Sequence, residues 1–221
     1  SGYCFSFDFD HSFIFLQLNF MLFDDTYKTI KAPSEGVFKD KGSKFIAYIY
    51  PIKSETELKD IIASLKSLHP KARHHCWAMR LSPDRTVFRI NDDGEPSGTA
   101  GRPILNTLLS HDLTDVLAVV VRYFGGTLLG VPGLINAYKT ATLEAVKESE
   151  IIVKTINVIC RINFGHPQMN EVMRIIKEED IRIFNQNFDL NCSLDLEIRQ
   201  SQVNKVTGRL EKIEGLTLKY Q

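Results

Sequence analysis

The stretch VLAVVVRYFGGTLLGVPG (residues 116–133) sets the architecture. Val116 to Val121 are apolar without alternation, which is the pattern of a central strand covered on both faces. Arg122 follows directly. A charge at the mouth of a buried strand must be paired or must meet a ligand, and strand ends are the usual ligand crevice of α/β sheets. A Gly-rich loop (residues 124–133) then leads into a helix expected from Pro132-Gly133 to about Glu150, with Leu134, Ala137, Tyr138, Ala141 and Ala145 inward.

Upstream, Lys44 to Ile52 reads as a strand. Ser54 with Glu57 forms a capping box for a helix whose stripe is Leu58, Ile61, Ile62, Leu65 and Leu68. His74–Leu81 and Thr86–Ile90 read as paired strands across the turn Ser82-Pro83-Asp84-Arg85. A second Gly-rich loop, Asn91 to Gly101, precedes a short helix from Pro103 to Leu109. Downstream, strand Ile151–Asn163, helix Pro167–Glu179, strands Ile181–Asn187 and Leu190–Ile198, helix Ser201–Lys212 and strand Ile213–Tyr220 give the order β-α-β-β-α-β, a ferredoxin-like arrangement. The expected class is α+β in two domains, residues 21–150 and 151–221.

The 221 residues carry 27 basic and 27 acidic side chains. The balance is even along the chain: residues 24–150 hold 17 and 16, residues 151–221 hold 10 and 9. That excludes a basic domain built for broad electrostatic grip on nucleic acid. Cys4, Cys76, Cys160 and Cys192 are scattered without a C-x-x-C pair, which argues against a disulfide scaffold or cysteine-based zinc and fits a reduced, cytoplasmic setting. No apolar run is long enough to span a bilayer. Residues 1–20 lack Lys and Arg, and Asp8, Asp10 and His11 interrupt them, so they do not read as a signal peptide. Ser1-Gly2 reads as a cloning remnant and 1–20 as a non-native or upstream extension before a start at Met21. The alternative is an edge strand in which Phe5, Phe7 and Phe9 alternate with polar residues.

Seven of the 13 glycines lie in the two loops. Each loop opens a helix, where backbone N–H groups and the helix dipole suit an anion; plain tight turns are the commoner reading of the same glycines. Neither phosphate-binding nucleotide fingerprint is present. Asp92, Asp93 and Glu95, beside Ser97 and Thr99, suit Mg²⁺ or general-base work, or Asx turns that cap their own backbone. His74 and His75 are neighbours in a strand, point to opposite faces and cannot easily share a metal. Cys76 beside them makes no persuasive triad. No catalytic residue, metal ligand or cofactor is assigned, and the reading leans to binding rather than catalysis. The candidate polar or anion site is Asp92, Asp93, Glu95, Ser97, Gly98, Thr99, Gly101 and Arg102 of the first loop with Arg122, Tyr123, Gly125, Gly126, Thr127, Gly130 and Gly133 of the second. Arg73, His74 and Lys139 are candidate nucleic-acid contacts. The expectation is one polar hollow between the loops, with Arg122 facing into it.

The runs NDDGEPSGTAGRPIL (91–105) and VVVRYFGGTLLGVPGLINAY (119–138) resemble the signatures of the YigZ/IMPACT family, and RHHCWAMR (73–80) resembles its preceding strand. The resemblance covers about residues 24–221. It implies an N-terminal domain like the second domain of a small-subunit ribosomal protein and a C-terminal domain like a ferredoxin-like domain of elongation factor G. It also implies association with RNA, the ribosome or a translation factor. A fold shared with small-molecule kinases keeps a small phosphorylated ligand as the alternative. The chain departs from the family pattern at Leu128 and Asn136, where basic residues are expected, and at Pro132, where glycine is. Arg122, Lys139 and Arg102 are the basic groups left near the second loop.

Overall fold

The structure, a computed structural model, describes residues 25–189 and 191–221. The extension 1–20, the start at Met21, the Phe5–Phe7–Phe9 edge strand and Leu190 lie outside the described residues. Two compact units emerge: Tyr27–Lys154, and Thr155–Gln221 joined by Asp25 and Thr26.

In the first unit the run Val116–Tyr123 is strand β6, central in a five-stranded antiparallel sheet. Its neighbours are β3 (Ser43–Pro51) and β4 (His74–Leu81), with β2 (Ser34–Asp40) and β5 (Val87–Asn91) at the edges. Both faces of β6 are covered, for the reason its unbroken apolar run implies. Val116, Ala118 and Val120 pack under helices α2 (Gly101–Ser110) and α3 (Gly130–Lys147). Leu117 and Val119 join the layer beneath α1 (Thr56–Leu68). Glu57 reaches back to the N–H groups of Lys53 and Ser54, at 2.7 and 3.0 Å. Ser54 does not complete the reciprocal half of the box; its hydroxyl turns to Thr56.

Two strands were not anticipated: β1 (Thr26–Ile30) and β2. β2 is tied to β3 by Lys41-Gly42, both at positive φ (44° and 79°), a two-residue turn matched to strand twist. At Gly36 of β2 a Cβ would sit 2.1 Å from the Ala145 backbone nitrogen, so only glycine lets α3 lie this close to the sheet.

The expected strand Ile151–Asn163 is two strands. β7 (Ile151–Thr155) pairs with β1, and β8 (Asn157–Phe164) enters the other sheet. The break is at Ile156, whose N–H donates to the Asp25 carbonyl and whose own carbonyl accepts from the Gln200 N–H, diverting it from both ladders. The second unit continues with α4 (Met169–Glu178), β9 (Arg182–Phe188), β10 (Cys192–Arg199), α5 (Val203–Leu210) and β11 (Thr217–Tyr220). Its sheet order is β11-β8-β10-β9, with α4 and α5 closing one face over Cys160, Ile162, Leu194, Leu196 and Ile198. The α+β class in two units is therefore the architecture.

Candidate functional site

Arg122 sits on β6 between Phe45 of β3 and His74 of β4. It is 6% exposed and points toward Glu95 and the Phe45 ring. Its Nη1 donates to Glu95 Oε1 at 2.5 Å, and its guanidinium lies 5.5 Å from the Phe45 ring and 5.6 Å from the Phe124 ring. The same Glu95 oxygen accepts the Tyr138 hydroxyl of α3 at 2.7 Å. The Tyr138 oxygen lies 3.3 Å from Cys76 Sγ, which is itself 3.0 Å from the Asp92 carbonyl. Burial pushes both the Cys76 thiol and the Tyr138 hydroxyl well above their ordinary pKa values, so neither ionises near neutrality. The thiol is thus a packing and hydrogen-bonding group, not a nucleophile. This closed chain ties the first loop to β6 and α3. The expectation that Arg122 faces an open polar site is corrected: its carboxylate partner is internal.

The first loop turns at Asp93-Gly94. Asp92 aims its carboxylate at the start of α2, accepting from the N–H groups of Gly98 (2.9 Å), Ala100 (3.1 Å) and Gly101 (2.8 Å). The anion position at that helix N-terminus is thereby filled by the chain itself. Asp93 accepts from the His75 N–H at 2.7 Å, and its carbonyl lies 2.8 Å from His74 Nδ1. Thr99 is buried, with its hydroxyl on the Pro96 carbonyl at 2.6 Å, while Ser97 is exposed. Among the described residues, no group of three or more His, Cys, Asp or Glu is placed to share a metal ion.

The second loop is held by backbone. The Gly125 N–H donates to Ser43 Oγ at 3.1 Å, and a Cβ on Gly125 would lie 1.9 Å from the Gly42 carbonyl carbon, so the loop rests directly on the β2–β3 turn. Gly126 and Thr127 are exposed; Gly130 opens α3 and Gly133 packs on Leu129. Tyr123, next to Arg122 in the strand, points to the opposite face as strand geometry demands. There its hydroxyl lies 2.8 Å from His69 Nδ1, and Tyr48 lies 2.8 Å from Nε2 of the same ring. Tyr123 accordingly leaves the expected cluster.

What stays open is elsewhere. Arg102 and Lys139 are exposed and line one groove of about 590 Å³ between α2 and α3, together with Gly98, Pro103, Asn106, Thr107, Ser110, His111, Ile135 and Leu143. Among the described residues, no carboxylate lines it, and no residue of 124–133 does. Arg73 is also exposed, at the approach to β4.

The sequence profile of the Impact N-terminal domain matches residues 41–146. A Haemophilus influenzae protein named "IMPACT family member" is 35% identical over 178 residues, which is 79% of this chain and 86% of that relative. The chain belongs to the IMPACT family. The Escherichia coli "IMPACT family member YigZ" is 30% identical over 81% of this chain and 89% of its own length. A solved structure titled "Crystal structure of an hypothetical protein" superposes with a TM-score of 0.65 at 29% identity, covering 88% of this chain and 96% of that one.

In this IMPACT family member the matched span ends within the last turn of α3, so it contains both loops and the whole groove. The sequence reading reached Arg102, Lys139 and Gly98 but missed Asn106, Ser110, Ile135 and Leu143. The signal was available: Arg102, Asn106 and Ser110, like Ile135, Lys139 and Leu143, recur every fourth residue and so share one helix face.

Proposed function

We propose that this IMPACT family protein is a non-catalytic, translation-associated regulator of the cytoplasm that binds its partner across the α2–α3 face. The carrying observation is the groove, where two exposed cations stand beside Pro103, Ile135 and Leu143 and, among the described residues, no carboxylate. By contrast, the groups with catalytic potential are engaged: Arg122 and Tyr138 hold Glu95, and Asp92 caps α2. The open face of the second unit supports base stacking poorly. Its central strands present Asn157, Ile159, Arg161 and Asn163 with Ser193, Asp195, Glu197 and Arg199, none aromatic, and Arg161 is paired twice with Asp195, at 2.6 and 2.7 Å. The family resemblance supplies the translation setting.

Ribosome co-sedimentation tests it. The protein pellets with ribosomes at low salt, and Arg102→Glu/Lys139→Glu stays in the supernatant. If the contact were to phosphates alone, two contacts would weaken about tenfold between 50 and 200 mM salt. A wild-type protein found wholly in the free fraction at low salt refutes the reading. The groove volume also lies in the range of small-molecule sites, so a small phosphorylated ligand is the second reading. A thermal-shift panel of nucleotides and sugar phosphates checks it: a real ligand at 100 Kd stabilises by about 2.7 kcal/mol.

A further inference from the structure

We propose that the α2–α3 groove is the docking site for an acidic, amphipathic helix of a protein partner; this deepens, and rests on, the binding reading above. The walls are two helical ridges. α2 presents Arg102, Asn106 and Ser110, α3 presents Ile135, Lys139 and Leu143, and Pro103 and buried Thr107 form the floor between them. Ridges of every fourth residue on adjacent helices leave a channel shaped to take the ridge of a third.

Beyond the groove's own lining, the α3 ridge continues toward the N-terminus of the helix. Val131, one turn earlier on α3, is 51% exposed, and Leu128 before the helix is 82% exposed. From Val131 to Leu143 the row runs about 18 Å, three turns of an incoming helix. Val131 and Ile135 on successive turns, with Lys139 and half-buried Leu143 continuing the ridge, give an exposed apolar surface edged by charge, which marks an interaction surface. Helices seat in such grooves by apolar anchors at i, i+3, i+4 and i+7.

The charge selects the occupant. Arg102, Lys139 and His111 line the groove and, among the described residues, no Asp or Glu lines it, so the complement is acidic. α2 contains no acidic residue. A second copy of the same face would set like charges against each other. RNA fits less well: the lining has two permanent cations and no aromatic ring among the non-histidine side chains to stack on a base. A small phosphate fits less well too. The N–H groups at the start of α2 that would hold it are already taken by Asp92, so a phosphate finds no backbone donors there.

Fluorescence anisotropy tests the occupant with the full chain. Two labelled, helix-forming peptides of about 16 residues share leucines at i, i+4 and i+7 and differ only in flanking glutamates or lysines. A single-stranded oligouridine of about 16 nucleotides is the third probe. The glutamate peptide is expected to bind at least about tenfold tighter than the lysine peptide. Arg102→Glu/Lys139→Glu reverses that preference, so the lysine peptide gains what the glutamate peptide loses. Ile135→Asp abolishes binding of both, with an unchanged melting curve because Ile135 is at the surface. Equal affinity for the two peptides, or binding of neither, overturns the proposal. Oligouridine binding that depends on Arg102 and Lys139, without a peptide preference, overturns it while leaving the ribosome reading standing. Peptide binding as expected with no ribosome co-sedimentation overturns the translation assignment and leaves the docking helix.

Discussion

Removing one partner of the Arg122–Glu95 pair decides whether that guanidinium is a structural strut or a spare ligand contact. The two side chains are 7% and 3% exposed, and the pair is joined by Tyr138. Glu95→Leu leaves a buried cation whose remaining neighbours are the Phe45 and Phe124 rings, and Arg122→Met leaves a buried carboxylate with one hydroxyl donor. Each single loss of a buried partner costs about 3–5 kcal/mol. At about 2–4 °C per kcal/mol for chains of roughly this length, each variant melts about 6–20 °C lower. The double variant Arg122→Met/Glu95→Leu removes both charges together and is expected to cost less than either single change. Trp77 is the sole tryptophan and lies on β4, so its fluorescence follows the 27–154 unit without interference from the other. Single losses under about 1 kcal/mol that simply add in the double variant would refute the reasoning. They would mean that carboxylate and guanidinium act independently, and Arg122 would return as a candidate contact.

Asp92→Ala strips three N–H groups of their acceptor at the start of α2 and costs about 1–2 kcal/mol in urea titrations followed by Trp77; Asp92→Asn, which keeps an acceptor oxygen, recovers part. Gly36→Ala drives a methyl into the Ala145 backbone and lowers the melting temperature or the soluble yield, whereas a melt equal to wild type contradicts the close approach of α3 to β2. In the second unit, hydrogen bonds from Arg161 and then Asn185 pull the Asp195 carboxyl down to about 2. A depressed carboxylate pKa contributes stability that is complete above the ordinary value near 4 and fades as the pH falls toward 2. Thermal melts by circular dichroism therefore show an acid-labile step between about pH 4 and pH 2, and Asp195→Asn flattens it; an equally steep decline in that variant assigns the step elsewhere.

The strand Val116–Val121 and the βαββαβ order of the second unit could be read directly, because burial on both faces and helical spacing leave their mark in consecutive residues. Edge elements were harder. β2 carries Ser34, Glu35, Lys39 and Asp40 around a glycine, a composition shared with loops, and only the positive-φ pair Lys41-Gly42 hints at its hairpin. The break at Ile156 is invisible in the run IIVKTINVICRIN because its cause is a hydrogen bond to Asp25, far away along the chain.

The same division holds for the site. Local patterning named the right loops, since glycines and carboxylates before a helix constrain their own backbone. It could not say that Asp92 would occupy the α2 N-terminus, that Glu95 would seal Arg122 beneath Tyr138, or that Arg102 would stand across a groove from Ile135 and Lys139. Those outcomes depend on strand register and on how two helices cross the sheet. Residues about thirty positions apart became neighbours only when the fold closed, and closure buried the charge that looked most available against an internal carboxylate.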